Sequence, residues 1–112
     1  MSGGPTWKKD FDKELLMAEN ARAVGNEGMA RVCSRRAAGI IIKEYTHRKG
    51  YSHSGSSVYE QLKWLQSEKK APPQAHEIAT LLLTRVDYNH NLPHEVDLIQ
   101  ETRNLAELLL EM

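Results

Sequence analysis

The chain is poor in the features that mark specialised classes. It holds a single cysteine, Cys33, so no internal disulfide can form, and its Cys and His residues lack the spacing of a structural zinc site. A reducing, cytoplasmic setting with no metal and no cofactor is the expectation. Prolines number only four, which argues against a disordered or fibrous chain. The longest aliphatic runs are triplets such as Ile40-Ile41-Ile42 and Leu81-Leu82-Leu83, and the opening MSGGPTWKKDF has no apolar stretch. Neither a membrane span nor a signal peptide is therefore expected. Net charge is zero, without the strongly basic balance usual in nucleic-acid-binding domains.

What is present points to helices. The 112 residues make one domain's worth of chain, read as a loose glycine-rich leader over 1–6 and a single domain over 7–112. Trp7, Phe11, Leu15 and Ala18 share one face of a first helix that starts near Trp7 and ends at Gly25. Asn26 suits the cap of a second helix with Glu27 in its first turn. Met29, Cys33, Ala37, Ile40, Ile41 and Tyr45 then form a stripe that runs to His47, Arg48 and Lys49 before Gly50. Ala37, Ala38 and Gly39 leave a smooth patch that another helix can approach closely.

Ser56 or Ser57 is expected to cap a third helix that buries Val58, Leu62 and Leu65 and stops before Pro72-Pro73. Pro73 opens a fourth, in which Ile78, Leu82 and Val86 line up. The fifth is expected to start at Pro93, with Glu95 and Asp97 in its first turn and Val96, Ile99, Leu105, Ala106, Leu109 and Leu110 inward. No segment alternates apolar and polar residues long enough for a strand. The expected fold is all-α, an up-and-down bundle of four to five helices whose first two form an antiparallel hairpin.

Charge is unevenly spread. Residues 26–50 carry six basic side chains against two acids, and residues 72–112 carry two against seven. Such asymmetry makes a basic face for phosphates, or lets two helices of one bundle attract each other; the second is the preferred reading. Arg31 and Arg35, four apart, share a helix face, and Arg36 widens it. Their first expected role is to pair with Glu19, Glu95 or Glu101, and their second is to bind RNA phosphates.

The stretch TRVDYNHNLPHE, Thr84 to Glu95, carries the one arrangement that resembles chemistry. An imidazole at His90 can take a proton from a 2′-hydroxyl while a guanidinium at Arg85 holds the phosphate, with no metal required. On a continuous helix residues five apart diverge by about 140°. Convergence therefore needs a break, for which the Leu92-Pro93 step and Asn89, His90 and Asn91 give reason. Spacing alone does not single the pair out, because Arg48 and His53 repeat it and about one match is expected by chance at this composition.

The stretch ARVCSRRAAGIIIKEYTHRKG on the second helix, SVYEQLKWL on the third, and the Arg-x4-His followed by an acidic last helix together resemble the HEPN superfamily over most of residues 7–112. The resemblance implies a small helical bundle, commonly a homodimer. In members that keep the Arg-x4–6-His motif it implies a metal-independent endoribonuclease of the toxin or defence type, with Arg85 binding phosphate and His90 doing acid/base work. In members without that activity it implies a binding or scaffolding partner of a nucleotidyltransferase or other protein. Partners so implied are RNA, a nucleotidyltransferase or an antitoxin. Val86 stands where the family usually has a polar residue, and Leu92 where a tyrosine often stands.

The remaining candidates have plain readings. Cys33 falls on the buried stripe and is expected to be a small core residue. Pro93 breaks the helix that would align His90 and His94 on a metal. His76 and Glu77 are expected to face solvent. Trp7, Phe11, Tyr45, Tyr59 and Trp64 are too scattered for a base-stacking platform and are assigned to core or interface.

Overall fold

A computed structural model of the protein describes residues 6–51, 55–84 and 96–111. Five helices account for most of them: α1 (Thr6–Ala23), α2 (Glu27–Lys49), α3 (Val58–Ser67), α4 (Pro73–Leu83) and α5 (Leu98–Leu110). Among the described residues there is no strand, and the expected all-α bundle is what the chain forms. No described helix is long and apolar enough to cross a membrane.

The α1–α2 hairpin is written in local chemistry. α1 stops at Ala23, and the Ala21 carbonyl accepts from the Asn26 N–H at 2.8 Å while the Arg22 carbonyl accepts from Gly25 at 3.0 Å. Gly25 takes the left-handed conformation (φ +82°) that this reversal needs. The Asn26 side chain then accepts from the Met29 N–H at 3.1 Å and opens α2. At the far end Gly50 caps α2. Arg48, in the last turn of α2, lies 5.5 Å from the ring centre of Trp7, in the first turn of α1, so the two helices run antiparallel.

α2 is the hub and touches the other four helices. Its buried residues include Ala30, Cys33, Ser34, Ala37, Ala38, Ile41 and Ile42, a wider surface than one stripe, while Met29, expected inward, is 43% exposed. A helix packed on several sides must be apolar on several sides. Gly39 marks the closest approach: a Cβ there would come within 2.7 Å of Gln61 Oε1 and 3.1 Å of Val58 Cγ2, both on α3. The small-residue patch thus receives α3.

α3 opens with a capping box in which Ser57 and Glu60 satisfy each other's backbone N–H groups. α4 folds back against it. Gln66 Nε2 donates to Thr80 Oγ1 at 2.9 Å, and His76 Nε2–H donates to the Glu68 carbonyl, so His76 is half-buried rather than solvent-facing; Glu77 is exposed.

Two helix boundaries differ from expectation. α4 ends at Leu83, with Thr84 extended, and Val86, expected to line up with Ile78 and Leu82, lies outside the described residues. α5 begins at Leu98, not Pro93, because Asp97 is its cap and not a first-turn residue: its carboxylate accepts from Ile99 and Gln100 N–H, each at 3.1 Å. α5 runs in the same direction as α2. Its start meets the end of α1 through Arg22–Asp97 (2.8 Å), and its last turn meets Arg48, whose Nη1 donates to the Leu110 carbonyl at 3.5 Å. Between them the fully buried Thr102 hydroxyl donates to Leu98 O at 2.8 Å and lies 3.4 Å from the Ser34 carbonyl of α2. Ile41, Ile42, Leu62, Leu65, Leu82 and Leu105 fill the centre.

Candidate functional site

The end of α4 leaves carbonyls without partners inside their own helix. The Thr84 N–H donates to Thr80 O at 3.0 Å and its Oγ1–H adds a second bond there at 2.7 Å, while the Leu82 and Thr84 carbonyls accept from Arg35 of α2, through Nε at 2.6 Å and Nη2 at 3.3 Å. A guanidinium placed there also meets the negative end of the α4 dipole. Burial, then the like charge of Arg31 one turn away, lowers the Arg35 pKa from its ordinary value. A guanidinium nonetheless stays charged at any physiological pH.

Arg31 and Arg36 complete a row of three cations on two turns of α2. Arg31 is half-buried, and its Nε is shut away from solvent without a hydrogen-bond partner; Arg36 is exposed. Among the described residues none of the three pairs with a carboxylate. The acids expected to serve them are engaged elsewhere: Glu19 accepts from Arg103 at 2.8 Å across α1 and α5, and Glu101 accepts from Asn104 at 3.3 Å. Glu95 lies outside the described residues. The structural role of this row is thus hydrogen bonding to a helix end by Arg35, not ion pairing.

Beside the row lies a groove of about 400 Å³. Leu62, 1% exposed, is its floor, and Val32, Val58 and Leu83 are its apolar sides. Arg35, Arg36 and the 64%-exposed Tyr59 form its polar rim, and among the described residues no acidic side chain lines it. Sequence reasoning placed Tyr59 in a core or interface. Its position two residues past the Ser57 cap, on the outward side of a short helix, was the available signal.

Arg85 and His90 lie outside the described residues, as do His53 and His94. What the structure does place is Thr84, the residue before Arg85 in sequence, tied to Arg35. It also gives Arg48, of the second Arg-x4-His pair, a structural role. Its Nε donates to Glu44 at 2.9 Å and its guanidinium covers Trp7.

The other candidates sit as their chemistry dictates. Cys33 is fully buried, and burial followed by the neighbouring Glu14 raises its pKa, the reverse of what a nucleophilic thiol needs. Among the described residues no three His, Cys or acidic side chains gather as metal ligands. Tyr45 and Trp64 are joined by Tyr51, at 5.7 Å and 6.2 Å between ring centres, with Lys70 Nζ 5.1 Å from the Tyr51 ring. Tyr51, directly after the Gly50 cap, is the link that made these rings look scattered in sequence. Compared with protein-family models, curated proteins and solved structures, the chain matches none.

Proposed function

We propose that the protein is a HEPN-like, RNA-directed bundle, a metal-independent endoribonuclease in which Arg85 and His90 carry the chemistry and Arg31, Arg35 and Arg36 hold the phosphate backbone. The observation that carries this reading is the row of three guanidiniums with no carboxylate partner among the described residues, one of them bonded to the residue that precedes Arg85. Clustered like charges cost energy unless a counter-charge meets them. A polyanion is the natural one, and arginine is the side chain best shaped for its phosphates.

In the proposed reaction the His90 imidazole takes the proton of a 2′-hydroxyl, whose oxygen attacks the adjacent phosphorus. The 5′-oxygen departs and takes up a proton from solvent, to which the His90 imidazolium returns the one it removed, leaving a 2′,3′-cyclic phosphate and a 5′-hydroxyl end. Arg85 neutralises the charge that builds on the phosphoryl oxygens. A homodimer would set two such pairs in one assembly. The reading also places the protein in the cytoplasm, with an antitoxin as a partner. The competing reading is a non-catalytic scaffold for a nucleotidyltransferase.

The test is RNA cleavage with chelator present. Wild-type protein is expected to produce cyclic-phosphate ends, and His90→Ala and Arg85→Ala none. Equal cleavage by all three, or none by wild type, removes the enzymatic reading, and the second result favours the scaffold. Arg36→Gln is expected to weaken RNA binding and to reduce the slope of log affinity against log salt by about one. Light scattering checks the dimer.

A further inference from the structure

We propose that the groove between α2, α3 and α4 is a binding site for a single nucleotide, taking the base over Tyr59 and against Val58, Leu62 and Leu83, and the phosphate on Arg36 and the outer edge of Arg35. This deepens the RNA-directed reading and rests on it for the polymer to which the nucleotide belongs; the site itself is argued from the groove.

Three observations converge on one ligand chemistry. The first is shape: about 400 Å³ lies within the range of small-ligand sites, roughly 300–1,000 Å³, and the floor at Leu62 is fully shielded. The second is polarity by position. The apolar residues are buried or half-buried while Arg36 and Tyr59 are exposed at the rim, so a ligand that fits presents an apolar body inward and its charge outward. The third is charge. Among the described residues the rim carries two guanidiniums and no acid, and Arg36 makes no hydrogen bond or ion pair with any of them. An anion on a planar aromatic group answers all three. Tyr59 offers an exposed ring on which a base can stack, and base–aromatic stacking tolerates any base. Arg36 offers the fork that matches a phosphate. A purely aliphatic anion would leave Tyr59 unused, and inorganic phosphate would leave the apolar walls bare.

The experiment is calorimetric titration of the full chain with adenosine monophosphate, adenosine and inorganic phosphate separately, followed by a six-residue single-stranded RNA as competitor. Adenosine monophosphate is expected to bind saturably, and adenosine or phosphate alone at least about tenfold more weakly. Tyr59→Ala and Arg36→Gln are each expected to weaken it about tenfold while melting as the wild type does; both side chains are exposed, so the fold does not depend on them. Arg103→Gln, on the α1–α5 side, is expected to change nothing. Absence of binding overturns the proposal, as do wild-type affinity in both groove variants or phosphate binding as tightly as the nucleotide. Displacement by the RNA, with the same sensitivity to Tyr59→Ala, assigns the site to a residue of the polymer. Failure to displace assigns it to the free nucleotide, and both keep the site. His90→Ala is expected to abolish cleavage yet titrate as wild type, so loss of the catalytic reading and loss of the groove are told apart.

Discussion

At the scale of single side chains, Asp97 combines two tasks. It caps α5 through two backbone N–H groups and receives Arg22 at 2.8 Å, and Arg22 also holds Glu27 at 3.1 Å. Burial alone would raise the Asp97 pKa, but the bonds from Arg22, Gln100 and Ile99 outweigh it and hold the carboxyl below its usual range. Its contribution is therefore complete above the ordinary aspartate value and fades as pH falls through the folded one. Asp97→Ala is expected to cost about 1 kcal/mol in urea unfolding at neutral pH, and Asp97→Asn, which keeps a capping oxygen, distinctly less. The difference between wild type and Asp97→Asn should shrink in acid.

Tyr45 behaves in the opposite sense. Burial, then the hydrogen bond and charge of Tyr51, push it up to about 12. The folded form favours the neutral phenol, so this contribution is whole below the ordinary tyrosine value, near pH 10, and is lost as pH climbs through about 12. Absorbance titration is expected to show a phenol that ionises near pH 12, and Tyr45→Phe to abolish that late step.

Among elements, the end of α4 is the most instructive. Its stop at Leu83 is set by Arg35, 47 residues earlier in the chain. Arg35→Ala would strip two part-buried carbonyls of their donor, with an expected loss of about 1–3 kcal/mol and faster amide exchange in the last turn of α4. Arg35→Lys should rescue little, because one ammonium does not reproduce the fork. At Gly39 a larger side chain must push aside the Gln61 and Val58 side chains of α3. Gly39→Val is expected to cost about 2 kcal/mol, and less in a Gln61→Ala background, where the nearest obstacle is gone. A double-mutant cycle in denaturant measures this.

The same contrast explains what could be read in advance. The α1–α2 turn, the Asn26 and Ser57 caps and the Pro73 start depend on neighbours within a few residues, and those signals stand in the sequence. The end of α4 meets Arg35, a partner distant in sequence, so helical periodicity points past it to Val86; the α5 start is set by the local Asp97 cap, which the proline rule at Pro93 overrides in the sequence. The arginine row was legible from its four-residue spacing. The groove was not, because Arg36, Tyr59, Leu62 and Leu83 come from three helices and no local pattern links them.

For the molecule as a whole, stability resides in the shared core rather than the surface pairs. The ion pairs Lys8–Asp12, Arg48–Glu44 and Arg103–Glu19 all have an exposed partner, and such pairs contribute at most about 1 kcal/mol each. Ile41→Ala or Leu105→Ala is expected to cost about 2–5 kcal/mol, whereas raising salt to about 0.5 M should change the unfolding free energy by less than about 1 kcal/mol. Under the proposed function, RNA affinity over the same salt range would fall steeply.

α5 lies beside α2 although the two are far apart in the chain, and its bonds to Ser34, Glu19 and Arg22 span 68, 84 and 75 residues. During vectorial synthesis the hairpin of α1 and α2 can therefore form early, but the side of α2 around Ser34 stays wet until residues 98–110 have cleared the ribosome. A nascent chain halted before Leu98 would present that greasy strip to chaperones and proteases, so the bundle reaches a protected state only when its latest helix arrives.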